Sequence, residues 1–140
     1  MTLFTPEDEK EIVEAIKNAE TMSTGEIRVH LDNSLKGDPL AKAQAVFAHL
    51  GMQNTQERNG VLFFISESDR QIAVIGDENI HQHVKQTFWN NLSQEITASF
   101  KEGKFKDGLV SAILKTGHQL KKYFPASGQN LNELPNEISR

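Results

Sequence analysis

Apolar positions recur along the chain with two periods, one typical of helices and the other typical of strands. Helical spacing predicts a first helix over about residues 6–21. Thr5 is its predicted cap, and Pro6 lies in its first turn. Asp38-Pro39 repeats that signal and predicts a second helix, for which Gly51 is a natural end. The first part of the chain therefore contains two amphipathic helices.

Three strand patterns lie between and after these helices. Residues 26–31 alternate between polar and apolar, which predicts a half-buried strand, whereas residues 61–65 and 72–75 are apolar throughout. A polar turn joins the last two into an antiparallel hairpin, and the helix before them makes strands 1 and 2 parallel. With helices on both faces, we predict an α/β fold, a three-layer α/β/α sandwich on a small mixed sheet of about four strands. The pattern leaves the fourth strand unplaced, with Met1–Phe4 and the region around Lys104 as candidates.

Helical spacing returns after the hairpin. It predicts a short helix from Ile80, a longer one that ends at Phe100, and a last one that ends near Phe124-Pro125. The remaining residues are polar, lack periodicity and include Gly and Pro, a composition typical of disorder. We therefore predict one domain over residues 1–125 and a disordered polar tail over residues 126–140.

The composition is that of a soluble domain, and it narrows the classes of partner. The 140 residues include 15 basic and 19 acidic side chains, which gives a net charge of −4, and they include no cysteine. The lack of a basic stripe argues against nucleic acid as a partner, and the lack of thiols excludes a disulfide scaffold. No apolar run approaches a membrane span, and the acidic N-terminus does not resemble a signal peptide. We therefore expect a cytoplasmic protein.

Acidic residues gather at one edge of the predicted sheet, where the two parallel strands start and strand 3 ends. Four acids lie there: Glu26, Glu57, Asp77 and Glu78. Neutral oxygens come from the same loops: Asn54, Thr55, Asn59 and Asn79. Calcium and magnesium prefer such oxygens, and carboxylates this close repel one another unless a cation or a proton intervenes. The pattern predicts a divalent-cation site, although Asp77 alone is also explained as the cap of the following helix.

The opposite edge of the sheet offers a second candidate site. Asp32 follows strand 1 and Asp69 lies in the hairpin turn, so both are near the carboxyl ends of the parallel strands. Open α/β sheets usually bind ligands at those ends. The turn nevertheless has an ordinary turn composition, and we rank this edge second.

Other chemistries have weaker signals in this sequence. No Gly-rich phosphate loop precedes a helix, so a nucleotide cofactor is not expected. His81 and His83 are two residues apart on a predicted helix and face different directions, a poor spacing for one zinc ion. Ser68 has no histidine–carboxylate pair placed by the sequence to activate it as a nucleophile.

Several short motifs, taken in their order and spacing, are similar to those of one protein family. They are Thr24-Gly25-Glu26-Ile27, Asn59-Gly60-Val61-Leu62, Asp69-Arg70, Ile75-Gly76-Asp77, Phe100, Gly103, Gly108, Gly117 and Phe124-Pro125. Over residues 5–125 the chain resembles the TPM domain family, as a stand-alone version without the signal peptide and membrane anchor of many members. The resemblance implies an α/β/α sandwich; some members are described as acid phosphatases and some bind calcium.

Two functions that involve a metal ion are consistent with these observations, and a structural or interaction domain without any ion is a third possibility. The first is a divalent-metal (calcium or magnesium) binding regulatory or interaction domain, in which the ion ties residues 53–59 to residues 76–80 and orders a surface for a protein partner. The alternative is a metal-dependent acid phosphatase that acts on phosphomonoesters, with a metal-activated water as the nucleophile. Because the sequence identifies no protein nucleophile and only Arg58 or Arg70 as a phosphate clamp, we favour the first.

Overall fold

The chain folds into helices and strands. The computed structural model describes residues 3–33, 37–126 and 134–140. Within these ranges the elements are, in chain order, α1 (Pro6–Glu20), β1 (Glu26–Asp32), α2 (Pro39–His49), a short 3-10 helix (Met52–Asn54), β2 (Gly60–Ser66), β3 (Gln71–Gly76), α3 (Glu78–Lys101) and α4 (Phe105–Tyr123). None of the helices in the described residues is long and apolar enough to cross a membrane.

The sheet is mixed and has the strand order β1-β2-β3. β1 runs parallel to β2, with Glu26 opposite Gly60, and β2 runs antiparallel to β3, with Val61 opposite Gly76. Both orientations are those predicted from the crossover helix and the short turn. The described residues form three strands, so the prediction of about four is wrong. Lys104 directly precedes α4, and Leu3 and Phe4 are not in a strand, while Met1 and Thr2 lie outside the described residues.

Helices cover both faces of the sheet. On one face, β1 and β2 pack with α1, α3 and α4 in the main core, and the strands contribute Ile27, Val29, Leu31, Val61, Phe63 and Ile65. On the other face, α2 packs on β2, with Phe47 beside Leu62 and Ala43 beside Phe64. β2 is thus buried on both faces, which explains its uninterrupted apolar sequence.

Side chains cap the helices where the sequence predicted helix starts. Thr5 and Asp8 form a reciprocal capping box at α1, and Asp38 accepts a hydrogen bond from the N–H of Ala41 at α2. α3 is broken at Lys85, where φ is 65° and ψ is 173°. This break separates the short helical segment from the longer one, as the spacing predicted.

The last described residues pack against the domain, where the sequence predicted a disordered tail. Leu134 is 9% exposed and joins the cluster beside α2, while Ile138 packs on the main core. Ser139 pairs with His30 of β1 in a parallel bridge. Leu134 and Ile138 are too few, in a polar stretch, to show a helical or strand period, so the hydrophobic pattern could not predict their packing. Residues 127–133 of the predicted tail lie outside the described residues.

Candidate functional site

The starts of β1 and β2 and the end of β3 lie at one edge of the sheet, as the topology predicted. The N–H of Asp77 continues the hairpin by donating to the carbonyl oxygen of Gly60 at 2.8 Å. The side-chain amide of Asn79 then donates to the carbonyl oxygen of Glu57 at 2.6 Å. The loop of residues 55–59 and the start of α3 therefore form one connected unit.

Asp77 and Glu78, two of the predicted metal ligands, are held by Arg58. The guanidinium of Arg58 donates to both carboxylate oxygens of Asp77, at 2.8 and 3.0 Å, and lies 3.4 Å from the carboxylate of Glu78. Asp77 also accepts from the N–H of Glu78 at 2.8 Å, so it caps α3, as the sequence indicated. The hydrogen bond to Asp77 raises the pKa of Arg58. Both oxygens of Asp77 are thus already engaged.

A left-handed backbone brings Arg58 to this position. Its φ is 52°, and its N–H donates to the carbonyl oxygen of Thr55 at 3.3 Å in a tight turn. This conformation is unfavourable for a residue with a side chain, and the two charge-assisted hydrogen bonds to Asp77 offset the strain.

Glu26, the third predicted ligand, is paired with a second carboxyl group. Glu26 is 1% exposed, and Glu20 at the end of α1 is 9% exposed. Glu20 accepts a hydrogen bond from the N–H of Ile27 at 2.8 Å and shares another with the carboxyl group of Glu26. Burial, with a smaller contribution from the charge of Glu26, raises the pKa of Glu20 from the ordinary 4.5 to about 8, although the Ile27 bond opposes the rise. At neutral pH the pair therefore holds a proton.

Glu57, the fourth predicted ligand, belongs to a short chain of polar side chains. The hydroxyl of Thr24 donates to the carboxylate of Glu57 and accepts from the amide of Asn59 at 3.2 Å. Thr24 is fixed in turn by its own N–H, which donates to the carbonyl oxygen of Phe124 at 2.9 Å. These contacts join the loop before β1 to the loop before β2.

Two buried oxygens in this region have no hydrogen-bond partner among the described residues. They are Oδ1 of Asn59, a residue that is 0% exposed, and Oγ1 of Thr55, a residue that is 4% exposed. The two residues stand two positions after and two positions before Glu57 in the chain. Buried polar atoms normally have a partner, because an unpaired one costs about 1–3 kcal/mol. The loop therefore contains oxygen acceptors whose bonding is incomplete.

The acids at this edge are balanced separately and do not share one cluster. Arg58 balances Asp77 and Glu78, and a proton balances Glu26 and its partner. Among residues 3–33, 37–126 and 134–140, no three acidic or histidine side chains come close enough to hold a metal ion together. Of the four predicted ligands, Glu57 pairs with a hydroxyl instead of a charge or a shared proton.

The second candidate edge carries contacts typical of a turn. Asp69 accepts from the hydroxyl of Ser66 at 2.7 Å, and Asp32 accepts from the N–H of Asn33 at 3.0 Å. Ser66 lies opposite Asp32 in the register, so the two acids share this edge, as predicted. Arg70 lies over the ring of Phe105, 5.2 Å from its centroid.

The two histidines of α3 face different neighbours, as their spacing predicted. Nδ1 of His81 accepts a hydrogen bond from the indole N–H of Trp89 at 3.0 Å. The ring of His83 stacks on Tyr123, with 4.3 Å between the ring centroids. Each ring therefore has a structural contact of its own.

Sequence reasoning missed the roles of Glu20 and Arg58. Glu20 lies four residues after Ile16, on the buried stripe of α1, and that spacing is the signal that could have revealed it. Arg58 was a candidate phosphate clamp, but its pairing with Asp77 depends on the left-handed turn. No composition or periodicity signal in the sequence predicts that turn.

A three-stranded mixed sheet with helices on both faces places the described residues in the α/β class of domains. The family model of the TPM domain matches residues 1–119, and the chain belongs to the TPM domain family. The predicted resemblance is thereby confirmed.

Solved structures give the same fold. The NMR structure of the BA42 protein from the psychrophilic bacterium Bizionia argentinensis is 43% identical, has a TM-score of 0.89, and is matched over 97% of this chain and 94% of that one. The N-terminal domain of a protein from P. gingivalis has a TM-score of 0.68 at 19% identity, over 87% of this chain and 79% of that one. The N-terminal domain of the cg2496 protein from Corynebacterium glutamicum has a TM-score of 0.67 at 14% identity, over 91% and 80%. No curated protein matches the chain.

Proposed function

We propose that this TPM domain is a regulatory domain that binds a divalent cation, calcium or magnesium, at the loop of residues 55–59. The observation that carries the proposal is the pair of buried oxygens, on Thr55 and Asn59, that lack hydrogen-bond partners among the described residues. Hard cations take oxygens from carboxylates, amides and hydroxyls, so the groups around Glu57 fit the ligand chemistry. An ion would provide partners for both oxygens and a counter-charge for the carboxylate.

Glu57 supplies the charge of this site. The neutral oxygens belong to Thr24, Thr55 and Asn59. The other three acids of the predicted set, Glu26, Asp77 and Glu78, are balanced by a proton or by Arg58 and are secondary ligands at most. Because calcium affinity follows the number of charged ligands, we expect weak binding, with a dissociation constant of about 10⁻³ M.

The consequence of binding is a change in surface order. Asn79 ties the loop of residues 55–59 to the start of α3, so an ion that orders the loop also acts on the helix start. A protein partner that contacts this surface would bind the ion-loaded state more tightly, and by linkage the partner would tighten ion binding. The domain would in this way report the concentration of the ion.

Calcium or magnesium should raise the melting temperature of the wild type. At ten times the dissociation constant, mass action adds about 1.4 kcal/mol of stability, which corresponds to about 3–6 °C for a domain of this size. Glu57→Gln keeps the size and one oxygen of the side chain but removes the charge, so it should abolish most of this response. Thermal melts followed by circular dichroism, with and without each ion, measure the effect.

Asp77→Asn is the matched control, since it removes one charge at the same edge and keeps a competent helix cap. It should retain the response to calcium but melt at a lower temperature without the ion, because Arg58 loses a charged bidentate partner. If Asp77→Asn loses as much of the response as Glu57→Gln does, Asp77 is itself a ligand and leaves Arg58 when the ion binds. If the wild type does not respond at all, the proposal fails.

The alternative function, a metal-dependent phosphatase that acts on phosphomonoesters, has one observation in its favour. The hydroxyl of Thr24 donates to the carboxylate of Glu57, and a carboxylate so placed can accept the proton of a nucleophilic hydroxyl. Against it, Arg58 is engaged by Asp77 and Glu78, and a phosphate would have to compete for it.

Hydrolysis of p-nitrophenyl phosphate in the presence of magnesium separates the two functions. We expect no turnover above the buffer rate, because the cationic clamp is already paired. Turnover that disappears in both Thr24→Val and Glu57→Gln, and persists in Asp69→Asn, would favour the phosphatase over the regulatory domain.

A further inference from the structure

The outer edge of β1 is occupied by a short segment of the same chain. Residues 134–140, which we call the strap, reach this edge at Ser139, which forms a parallel bridge with His30 of β1. The N–H of Ser139 donates to the carbonyl oxygen of Val29 at 2.8 Å, and the carbonyl oxygen of Ser139 accepts from the N–H of Leu31 at 2.8 Å. The strap therefore uses the backbone groups through which an added strand would join the sheet.

Side chains of the strap alternate between the two faces, as those of a strand do. Ile138 packs on the main core, and Arg140 forms an ion pair with Glu9 of α1. Ser139 turns to the other face, where its hydroxyl lies 3.0 Å from Nδ1 of His30. Burial lowers the pKa of His30, so this contact is made by a neutral ring at neutral pH. The order of residues in the strap thus matches the two faces of the β1 edge.

Arg28 lies at the same edge with an incomplete set of partners. Its Nε is buried without a hydrogen-bond partner among the described residues, and so is Oδ1 of Asn136 in the strap. Burial lowers the pKa of Arg28, whereas the carboxylate of Glu137 raises it. The strap therefore offers Arg28 a complementary charge, but one polar atom of Arg28 and one of the strap stay unpaired among the described residues. Such unpaired atoms weaken the contact and favour exchange of the strap for a better-fitting segment.

We propose that the β1 edge is a strand-accepting site for an extended segment of a partner protein with an acidic residue opposite Arg28, and that the strap fills this site when the partner is absent. The partner segment would run parallel to β1 and carry an acidic, a branched apolar and a hydroxyl residue in the order of Glu137, Ile138 and Ser139. Backbone hydrogen bonds to β1 would give affinity, and the acidic side chain opposite Arg28 would give selectivity.

Releasing the strap in the full-length chain should open the site. Ser139→Pro removes the N–H that bonds Val29, so we expect amide hydrogen exchange at Leu31 to accelerate at least tenfold. A fluorescein-labelled peptide of residues 134–140 should then bind this variant at least tenfold more tightly than it binds the wild type, where the strap competes. Ser139→Ala keeps the N–H and is the matched control, which should behave nearly as the wild type does.

The contribution of charge is measured on the same complex. A peptide with glutamine in place of the residue equivalent to Glu137 should bind Ser139→Pro about fivefold less tightly. That difference should disappear when Arg28→Gln is added to the protein, since the pair no longer exists. Ile138→Asp releases the strap by a different route and replaces Ser139→Pro if the proline variant does not fold.

Specific outcomes would overturn the proposal. Unchanged exchange at Leu31 in both release variants, or equal peptide binding to the wild type and the release variants, would show that the edge does not exchange its strand. A peptide difference that persists with Arg28→Gln would remove the acidic requirement. A wild-type dimer in analytical ultracentrifugation that Ser139→Pro abolishes would assign the edge to a second copy of this chain and overturn the choice of partner.

Discussion

Replacing Gly76 with alanine should lower the free energy of unfolding by about 3 kcal/mol, because the added methyl group has no space. Gly76 ends β3, and a Cβ atom there would overlap Cζ2 of Trp89 and lie 2.9 Å from its Cη2. The indole is 2% exposed and its N–H bonds to His81 at 3.0 Å, so the ring cannot turn aside without losing that bond. Urea denaturation of Gly76→Ala followed by circular dichroism measures the loss.

A second background tests whether the indole is the obstacle. Trp89→Leu removes the ring that fills the space beside Gly76 and destabilises the protein in its own right. In that background Gly76→Ala should cost less than about 1 kcal/mol, since the two changes meet at one contact and are not additive. An equal cost in both backgrounds would show that the backbone of Gly76, and not Trp89, sets the requirement for glycine.

The buried pair of Glu20 and Glu26 should make the domain less stable as the pH rises from about 5 to about 8. The pKa of Glu20 is raised to about 8 in the folded state from the ordinary 4.5, so the folded state binds the extra proton between these values. Its contribution is therefore complete below pH 4.5 and is lost as the pH rises through 8. One pKa unit corresponds to about 1.4 kcal/mol, so the loss is on the order of 5 kcal/mol.

Glu20→Gln should flatten this pH dependence. The neutral amide can accept the N–H of Ile27 and donate to Glu26 at any pH, which leaves one charge in the pair. We expect the variant to be more stable than the wild type at pH 9, by about 2 kcal/mol. Urea denaturation between pH 5 and pH 9 measures the slope. Glu14→Gln makes the same change on the exposed face of α1 and should keep the wild-type slope; a parallel shift of both variants would contradict the role of the buried pair.

Much of the scaffold could be predicted because its signals are local. The caps at Thr5 and Asp38 depend on residues a few positions apart, and the structure confirms both. The parallel and antiparallel pairings follow from connection lengths, and they correctly bring the starts of β1 and β2 and the end of β3 to one edge. The sequence therefore identified where the acids would lie.

Which partner each acid takes could not be predicted, because that depends on how loops and the ends of elements place side chains beside one another. Arg58 reaches Asp77 from a left-handed turn, and Glu20 reaches Glu26 from the end of another element. The strap raises the same difficulty: its contacts with β1 join residues more than 100 positions apart. In each case a polar residue is paired with a partner that no local sequence pattern indicates.

The acids at the edge where β1 and β2 start and β3 ends should respond to two different conditions. Glu26 is balanced by a proton, so its pair should respond to pH, whereas Glu57 has a hydroxyl partner and should respond to divalent ions. Glu20→Gln should therefore change the pH slope and leave the calcium response nearly intact, and Glu57→Gln should do the reverse. The cytoplasmic location stays a prediction from the sequence. The ion and the protein partner belong to the proposed function.

Residue-resolved NMR during calcium and magnesium titrations tests the central proposal most directly. Amide shifts should be largest at Thr24 and residues 55–59, with smaller shifts at Asn79, and they should saturate with a dissociation constant of about 10⁻³ M. Unchanged spectra at ion concentrations of about 10 mM, roughly ten times that constant, or shifts that cluster at Asp32 and Asp69 instead, would contradict the proposed site.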